Sequence, residues 1–200
     1  MLATPGIVEL RQYTLHPGRR DELVELFERE FVDSQAAVGM PVLGTFRQPS
    51  APDRFVWLRA FPDLAGRGPS LTEFYTGPVW AAHSAAANAT MVDFRDVLLL
   101  RPVQGDFPAP REQAGPVRIS VHHFDGPADD LAGDSPDRLV LATHPGPNEF
   151  PALPVREGEH VLVTVSLDTA IPPVPASWAR RAVRGPEHLL LEPTATSLLR

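Results

Sequence analysis

Residues 7–31 read IVELRQYTLHPGRRDELVELFEREF. Apolar residues recur at every second position before the Pro-Gly step and at every third or fourth position after it. Alternation in the first nine residues predicts a strand with Val8 and Leu10 on one face. The other face carries the polar and aromatic side chains Glu9, Arg11 and Tyr13. After a Pro-Gly turn, leucines and phenylalanines recur at helical spacing, and Gly39 predicts the end of the helix. The stretch therefore predicts a strand followed by a helix.

The next sixty residues extend this start into a complete supersecondary unit. Two strands, a helix interrupted at Gly77-Pro78 and a closing strand are predicted. The strands are residues 42–48, 54–61 and 94–101, and the two pieces of the helix are residues 63–76 and 79–91. The order β-α-β-β-α-β is that of a ferredoxin-like unit.

The strand pattern restarts after residues 103–116, a linker rich in proline and glycine. Strands are predicted at 117–124, 138–144, 160–167 and 189–194, with a short helix at 176–183. Only DGPADDLAGDSPD separates the first two of these strands, and it holds too many helix breakers for a full helix. We predict an α+β fold of two tandem ferredoxin-like repeats, residues 1–102 and 117–200, the second lacking most of its first helix. The alternative is an unrelated β-rich second half.

Composition narrows the classes of function. The 200 residues are 43% hydrophobic and 22% charged, as in ordinary folded proteins. A net charge of −7 argues against nucleic-acid binding, which needs clustered cations. No apolar run could cross a membrane and no secretory signal is visible, so the expected location is cytoplasmic.

Two residue types are missing from the sequence, cysteine and lysine. Their absence excludes disulfides, thiolate nucleophiles, sulfur-ligated zinc, Schiff bases and a P-loop. The motifs HExxH, GxSxG and GxGxxG do not occur either. We therefore predict no metal site and no cofactor, with haem as the alternative.

Several segments in order resemble the NIPSNAP family. They are ELRQYTLHPGRRDELVELFE, AVGMPVLGTFRQ, RFVWLRAFPDLAGR, EFYTGPVWAAH and ANATMVDFRDVLLLRP. The resemblance covers residues 7–102 closely and the second half more loosely, through 148–151 and 153–159. It implies a dimeric α/β barrel, in which two ferredoxin-like sheets pack face to face with helices outside. One chain can supply both halves, so either a homodimer or an intrachain pseudo-dimer is expected.

The contracted region 125–137 departs from the family pattern. The missing helix leaves one flank of the second sheet to be covered by proline-rich loops or by another protomer.

The resemblance leaves three hypotheses for function, because the wider superfamily hosts cofactor-free monooxygenases, cyclases, isomerases and haem enzymes. The first is a cofactor-independent enzyme of specialised metabolism. It would cyclise, isomerise, dehydrate or oxygenate a small carbonyl or polyketide-like metabolite. The second is a non-catalytic ligand-binding or scaffold protein, and the third is a haem-binding member. A small molecule is the expected partner in the first two.

The barrel lumen and the gap between sheet and helices are the natural ligand sites. Five side chains are the candidate pocket lining of the first repeat: Arg11, Tyr13, Trp57, Arg59 and Phe61. The alternative is that they lie where two sheets meet and that Glu9 pairs with Arg11 or Arg59 as a structural unit.

The helix at 79–91 supplies the candidate chemistry. Its spacing places Trp80, His83 and Met91 on one stripe. His83 is the candidate base and Tyr75 the candidate donor to an oxyanion, which suits proton abstraction next to a carbonyl. The alternative is a histidine satisfied by a backbone carbonyl. Trp80 is a candidate wall of the same site, and Asn88 is a candidate for contact with the substrate that is also predicted to tether the helix to a neighbouring loop.

His122 and His123 adjoin on a strand, so their side chains face opposite sides of the sheet. His123 falls on the apolar face and is a candidate for a residue that lines the lumen.

Overall fold

The change of period at residues 7–31 produces strand β1 (Ile7–Leu15) and the first helix of the chain. The computed structural model describes residues 5–109 and 111–200. The remaining strands of the first half are β2 (Val42–Arg47), β3 (Arg54–Phe61) and β4 (Met91–Gln104). Its helices are α1 (Arg20–Leu26), α2 (Val32–Ala37), α3 (Leu64–Thr76) and α4 (Pro78–Asn88), with a π-helical turn (Phe27–Phe31) between α1 and α2.

The predicted interruption of the helix before β4 has a local cause. The side chain of Asp63 caps α3 by accepting a hydrogen bond from the Gly66 amide at 2.7 Å. Gly77 is extended, and Pro78 occupies the first turn of α4, where its missing N–H costs nothing. The chain therefore forms two helices at this point.

The second half contains the strands β5 (Val117–His123), β6 (Leu139–Thr143), β7 (Val161–Ser166) and β8 (Glu187–Pro193). One helix, α5 (Ala176–Arg181), precedes β8. A 3₁₀ helix (Asp129–Asp134) stands between β5 and β6, where the first half has α1 and α2.

The eight strands close into an antiparallel barrel in the order β1-β3-β2-β8-β5-β7-β6-β4. Two seams join the halves. At one, Leu100 to Gln104 of β4 pair with β6, and at the other Phe46 and Arg47 of β2 pair with β8. Within each half the strands follow the same spatial order, β4-β1-β3-β2 and β8-β5-β7-β6. One chain thus supplies the whole barrel of a mixed α/β fold.

The barrel lumen is filled with apolar side chains. All eight strands contribute to one buried core, in which Val8 and Leu10 of β1 are fully buried and meet residues such as Leu58, Val121 and Val163. Alternation decides this arrangement, because the inward positions of each strand are the aliphatic ones. Of the two ligand locations predicted from the sequence, the lumen is therefore the wrong one.

The opposite face of the first four strands lies beneath helices α1 to α4. Phe27 and Phe31 of the π-helical turn pack there with Trp57 of β3 and Phe74 of α3. The polar side chains of β1 are on this face, so they lie between sheet and helices. The alternative interpretation of the sequence placed them where two sheets meet, and that placement is wrong.

The outer face of the second half is covered by short pieces. Trp178 of α5 is buried against Phe124, and its indole N–H donates to the Leu131 carbonyl of the 3₁₀ helix at 2.9 Å. Residues 144–160, between β6 and β7, extend the cover towards the first half, where Phe150 packs on the helical core. Loops of this chain therefore cover the flank left by the missing helix.

Strand β4 is longer than predicted at both ends. Met91 belongs to β4, where it pairs with Leu15, and not to the helical stripe of Trp80 and His83. The far end reaches Gln104, because pairing with β6 holds residues that the sequence pattern assigned to the linker. Within residues 5–109 and 111–200, no helix is long and apolar enough to cross a bilayer.

Candidate functional site

A buried carboxylate with three arginines lies between the sheet and the helices of the first half. Arg11 Nη1 donates to Glu9 Oε2 at 2.6 Å, and Arg59 Nε donates to the same oxygen at 2.8 Å. Arg67 Nε donates to Oε1 at 2.8 Å. None of the four side chains is more than 1% exposed. We call these residues, Glu9, Arg11, Arg59 and Arg67, the arginine cluster.

The sheet and one helix place these side chains together. Glu9 and Arg11 are alternate residues on the outer face of β1, and Arg59 lies directly opposite Glu9 on β3. Arg67 comes from the first turns of α3, which pass over the sheet. Cross-strand pairing therefore fixes two of the three cations, and helix packing adds the third.

The charges of the arginine cluster do not balance. Burial alone would raise the pKa of Glu9, but the charges of Arg59, Arg11 and Arg67 hold it well below its usual range. Burial raises the pKa of the neighbouring Tyr13 phenol, so this residue supplies no second negative charge at neutral pH. Among the described residues no other carboxylate contacts the three arginines. The cluster therefore carries two positive charges in excess.

Several donors of the cluster have no acceptor. Arg11 Nη2, Arg59 Nη2 and the indole Nε1 of Trp57 are buried and meet no hydrogen-bond acceptor within the described part of the chain. A buried donor without a partner costs free energy, and natural proteins keep few of them. These nitrogens could donate to an anionic or carbonyl oxygen.

Aromatic rings frame the cluster. The guanidinium of Arg11 stacks 5.4 Å from the Trp57 ring, and that of Arg59 lies 5.3 Å from the same ring. Phe61 faces both Arg59 and Arg67. The Tyr13 hydroxyl accepts a hydrogen bond from Arg11 Nε at 2.9 Å. The five residues predicted as pocket lining are therefore brought together, with Glu9 at their centre.

Tyr75 reaches the edge of this site. Its hydroxyl lies 3.5 Å from Arg59 Nη1, which also donates to Gln35 Oε1 at 3.1 Å. Trp80 packs against the Tyr75 ring at 4.8 Å between centroids. Tyr75 and Trp80 thus border the arginine cluster from the helical side.

His83 is placed one layer further out. Its Nε2 lies 3.3 Å from Glu30 Oε2, and its ring packs edge-on to Phe31. The imidazole is one-third exposed. No described contact joins it to the arginine cluster, and the predicted role as a base remains a prediction.

Two further candidates lie elsewhere. Asn88, at the end of α4, is exposed, and its side chain forms none of the hydrogen bonds among the described residues, so its contact with a substrate remains a prediction. His123 is buried at one end of β5, where Glu159 and Glu187 lie 3.2 and 3.3 Å from its ring nitrogens. Arg184 approaches the same ring at 2.8 Å. His123 is therefore held among charged side chains of the second half, and no described contact joins it to the arginine cluster.

A cleft of about 450 Å³ adjoins the arginine cluster. It lies outside the barrel, between strands β4, β6 and β7 and residues 144–160, in the size range of small-molecule pockets. Asn148 connects the two: it lines the cleft, and its Oδ1 accepts a hydrogen bond from Arg67 Nη1 at 3.1 Å.

Three residues of the site were missed by sequence reasoning: Gln35, Arg67 and Asn148. Arg67 lies in LAGRGPS, which carries no motif, and Asn148 appeared only within a segment of family resemblance. Two arginines and one glutamate on the same face of neighbouring strands, Arg11, Arg59 and Glu9, would have been the one available signal of excess positive charge. In the described part of the chain, no three histidine, aspartate or glutamate side chains are placed to hold a metal ion.

Comparison with known proteins bears on the family and on the fold. The NIPSNAP family model matches residues 8–104. These residues form a NIPSNAP domain. The NIPSNAP domain contains the whole arginine cluster, and its match ends with β4, so it does not extend to the looser resemblance of the second half.

Solved structures match the fold over nearly the whole chain. Two are named "putative monooxygenase". The one from Fusobacterium nucleatum is 9% identical, with 96% of this chain and 94% of its own covered at a TM-score of 0.62. The one from Lactobacillus acidophilus is 12% identical, with 94% of each chain covered at a TM-score of 0.58. At these identities they show that the NIPSNAP domain and the second half together form a dimeric-α/β-barrel type of fold.

A NIPSNAP-like domain protein from Burkholderia xenovorans is 25% identical to 48% of this chain, covering 84% of its own, with a TM-score of 0.44. The search of curated proteins finds no match.

Proposed function

We propose that this protein is a cofactor-independent enzyme that binds a small carbonyl or polyketide-like molecule between sheet and helices, with its oxygen against the arginine cluster. One observation carries the proposal: three buried arginines share a single carboxylate, and two guanidinium nitrogens and an indole nitrogen lack acceptors. An excess of buried positive charge does not stabilise a folded protein. In an active site, however, it can stabilise negative charge that develops on the substrate.

The chemistry follows from that charge. Removing a proton next to a carbonyl, or from a phenol, leaves negative charge on oxygen. Preorganised cations in a dry site stabilise this charge without reorganising. Glu9 is a weak base in this setting, because three arginines hold its carboxylate in the ionised form.

Tyr75 and His83 keep their predicted roles within the proposal. The Tyr75 hydroxyl is near enough to Arg59 to donate to the same oxygen. His83 would accept the proton. Its imidazole is oriented by Glu30 and packs against the Phe31 ring, which in turn packs against Trp80. A His83→Ala variant with unchanged turnover would remove this residue from the mechanism.

The enolate formed in this way has two fates, reprotonation at another atom or reaction with dioxygen. The first gives isomerisation or cyclisation, and the second gives oxygenation. The names of the two barrel neighbours favour oxygenation as the reaction to test first.

The barrel itself is part of the proposal. We infer that the halves descend from one βαββαβ unit, residues 1–102 and 117–200, joined by the linker 103–116. The shared strand order within each half supports this origin. The chain would then be an intrachain counterpart of a dimeric barrel, in which only the first half kept a complete helical layer and its ligand site.

A coloured weak acid tests the function without knowledge of the substrate. We expect 4-nitrophenol, bound and followed by its absorbance, to ionise at a pH lower by about 1 to 3 units than in water, as next to uncompensated cations. The Arg11→Met variant should lose much of this shift. Arg118→Met is the matched control, because Arg118 is equally buried but pairs one-to-one with Asp137 in the second half. A bound probe that titrates as in water would contradict the proposal.

The filled lumen is the observation that favours the second candidate, a non-catalytic ligand-binding or scaffold protein. It predicts that the probe does not bind at all and that variants of the arginine cluster change stability alone. The haem hypothesis has a direct test of its own, a Soret band in the freshly purified protein.

A further inference from the structure

The amide of Asn148 occupies a position on Arg67 that suits an oxyanion. Its Oδ1 accepts from Arg67 Nη1 at 3.1 Å and from the Phe150 amide at 3.1 Å. Its Nδ2 donates to the Leu153 carbonyl at 2.8 Å. A neutral amide thus meets a guanidinium that already belongs to a cluster with excess positive charge. A carboxylate oxygen would be the stronger acceptor at the same place.

Asn148 is also the point where the cleft meets the cluster. The cleft is lined by Asn148, whereas Arg67 lies behind it and is almost fully buried. The hydrogen bond from Arg67 Nη1 to Asn148 Oδ1, at 3.1 Å, brings this buried guanidinium to within one side chain of the cleft. An anion that displaces the Asn148 amide would therefore meet the positive charge of Arg67 directly.

The lining of the rest of the cleft indicates how polar the remainder of the ligand is. Its apolar wall is formed by Leu99, Ala142, Val155 and Val161. Of its charged side chains, Arg156 pairs with Glu159 and Asp129 with Arg101, while Glu157 is exposed and takes part in none of the ion pairs of the described residues. The cleft therefore offers apolar surface to a ligand, and the excess positive charge of the arginine cluster lies beyond Asn148.

We propose that Asn148 holds the place of a ligand carboxylate: the ligand is a small carboxylic acid anion that lies with its apolar body in the cleft and displaces the Asn148 amide from Arg67. This inference rests on the proposed function, since the carboxylate is bound by one edge of the same arginine cluster. It names the chemical class of the ligand and makes Asn148 a specificity-determining residue.

Two substitutions at residue 148 separate this role from a structural one. Asn148→Ala and Asn148→Asp both lose the hydrogen bond to the Leu153 carbonyl, but only the second places a fixed carboxylate beside Arg67. Asn88→Asp is the matched control, because it adds the same charge at an exposed position of α4. The probes are sodium hexanoate and the neutral 1-hexanol, measured by titration calorimetry at an ionic strength held constant with sodium chloride.

We expect the native protein and Asn88→Asp to bind hexanoate about tenfold or more tightly than hexanol, the ratio that one charge-assisted hydrogen bond supplies. Asn148→Ala should bind hexanoate as well as or better than the native protein, and Asn148→Asp about tenfold or more weakly. Equal affinities of the two variants, equal binding of hexanoate and hexanol, or no hexanoate binding would each overturn the inference. If the nitrophenol shift persists in that case, the proposed function stands and only the carboxylate assignment fails.

Discussion

Replacing Glu9 by glutamine tests whether the arginine cluster is charged and dry. The substitution keeps the size of the side chain but removes the only negative charge among Arg11, Arg59 and Arg67. Breaking one buried ion pair by removing a partner costs about 3–5 kcal/mol. Here one carboxylate serves three cations at 2.6 to 2.8 Å, so we expect a loss of about 5 kcal/mol or more.

A loss of this size is comparable to the total stability of many domains, about 5–15 kcal/mol. The assay is urea unfolding followed by tryptophan fluorescence, which Trp57 makes sensitive to the site. Asp137→Asn is the control, because it breaks a buried pair in which Arg118 alone is left uncompensated. We expect a smaller cost there, roughly 3 kcal/mol.

The comparison remains decisive if Glu9→Gln does not fold. Arg67→Met removes one excess charge, whereas Arg118→Met leaves Asp137 buried and alone, so the first should cost less than the second. A cost of Glu9→Gln below about 1 kcal/mol, in the range of exposed ion pairs, would refute the description of a desolvated, overcharged cluster.

Three further predictions concern pH and packing. Burial and then His188 lower the pKa of His122 to about 4. The unfolded state therefore takes up a proton at a higher pH than the folded state does. The contribution of His122 to stability should be complete above the unfolded pKa of about 6.5 and should fall by roughly 2–3 kcal/mol as the pH drops towards 4. Urea unfolding at several pH values should show a flatter dependence for His122→Gln. Glu9 has a lowered pKa, so its contribution should persist above its unfolded pKa of 4.5 and weaken only below it; acid unfolding at pH 5 that Glu9→Gln abolishes would contradict this. Leu10→Ala should cost about 2–5 kcal/mol by thermal or urea unfolding, since Leu10 is fully buried in the filled lumen, whereas a cost under 1 kcal/mol would indicate an open one.

Much of the fold could be predicted because its signals are local. Alternation in β1 separates Leu10 from Arg11, and the Gly77-Pro78 step divides α3 from α4 without reference to any other part of the chain. The boundary of β4 could not be predicted in the same way. Its first residue is held by pairing with Leu15, and its last residues pair with β6.

The residues of the candidate site also differ in whether a local pattern could predict them. Arg11, Tyr13, Trp57, Arg59 and Phe61 could be grouped from the sequence, since they alternate on strands that were predicted to share one sheet. Arg67 and Asn148 could not be grouped with them. Arg67 meets Glu9 across 58 residues of chain and Asn148 across 81, and both contacts depend on how a helix and a loop pack.

The sequence by itself determined which side chains share a face of each strand, because the two-residue period is a property of the backbone alone. It also determined that the first half belongs with NIPSNAP domains. Only the tertiary structure decided which face is the lumen, because that depends on closure of the barrel through β4 with β6 and β2 with β8. Closure fills the lumen with aliphatic side chains and leaves the polar residues of β1 and β3 beneath the helices. Three arginines then meet one carboxylate, a charge imbalance that no local pattern in the chain records.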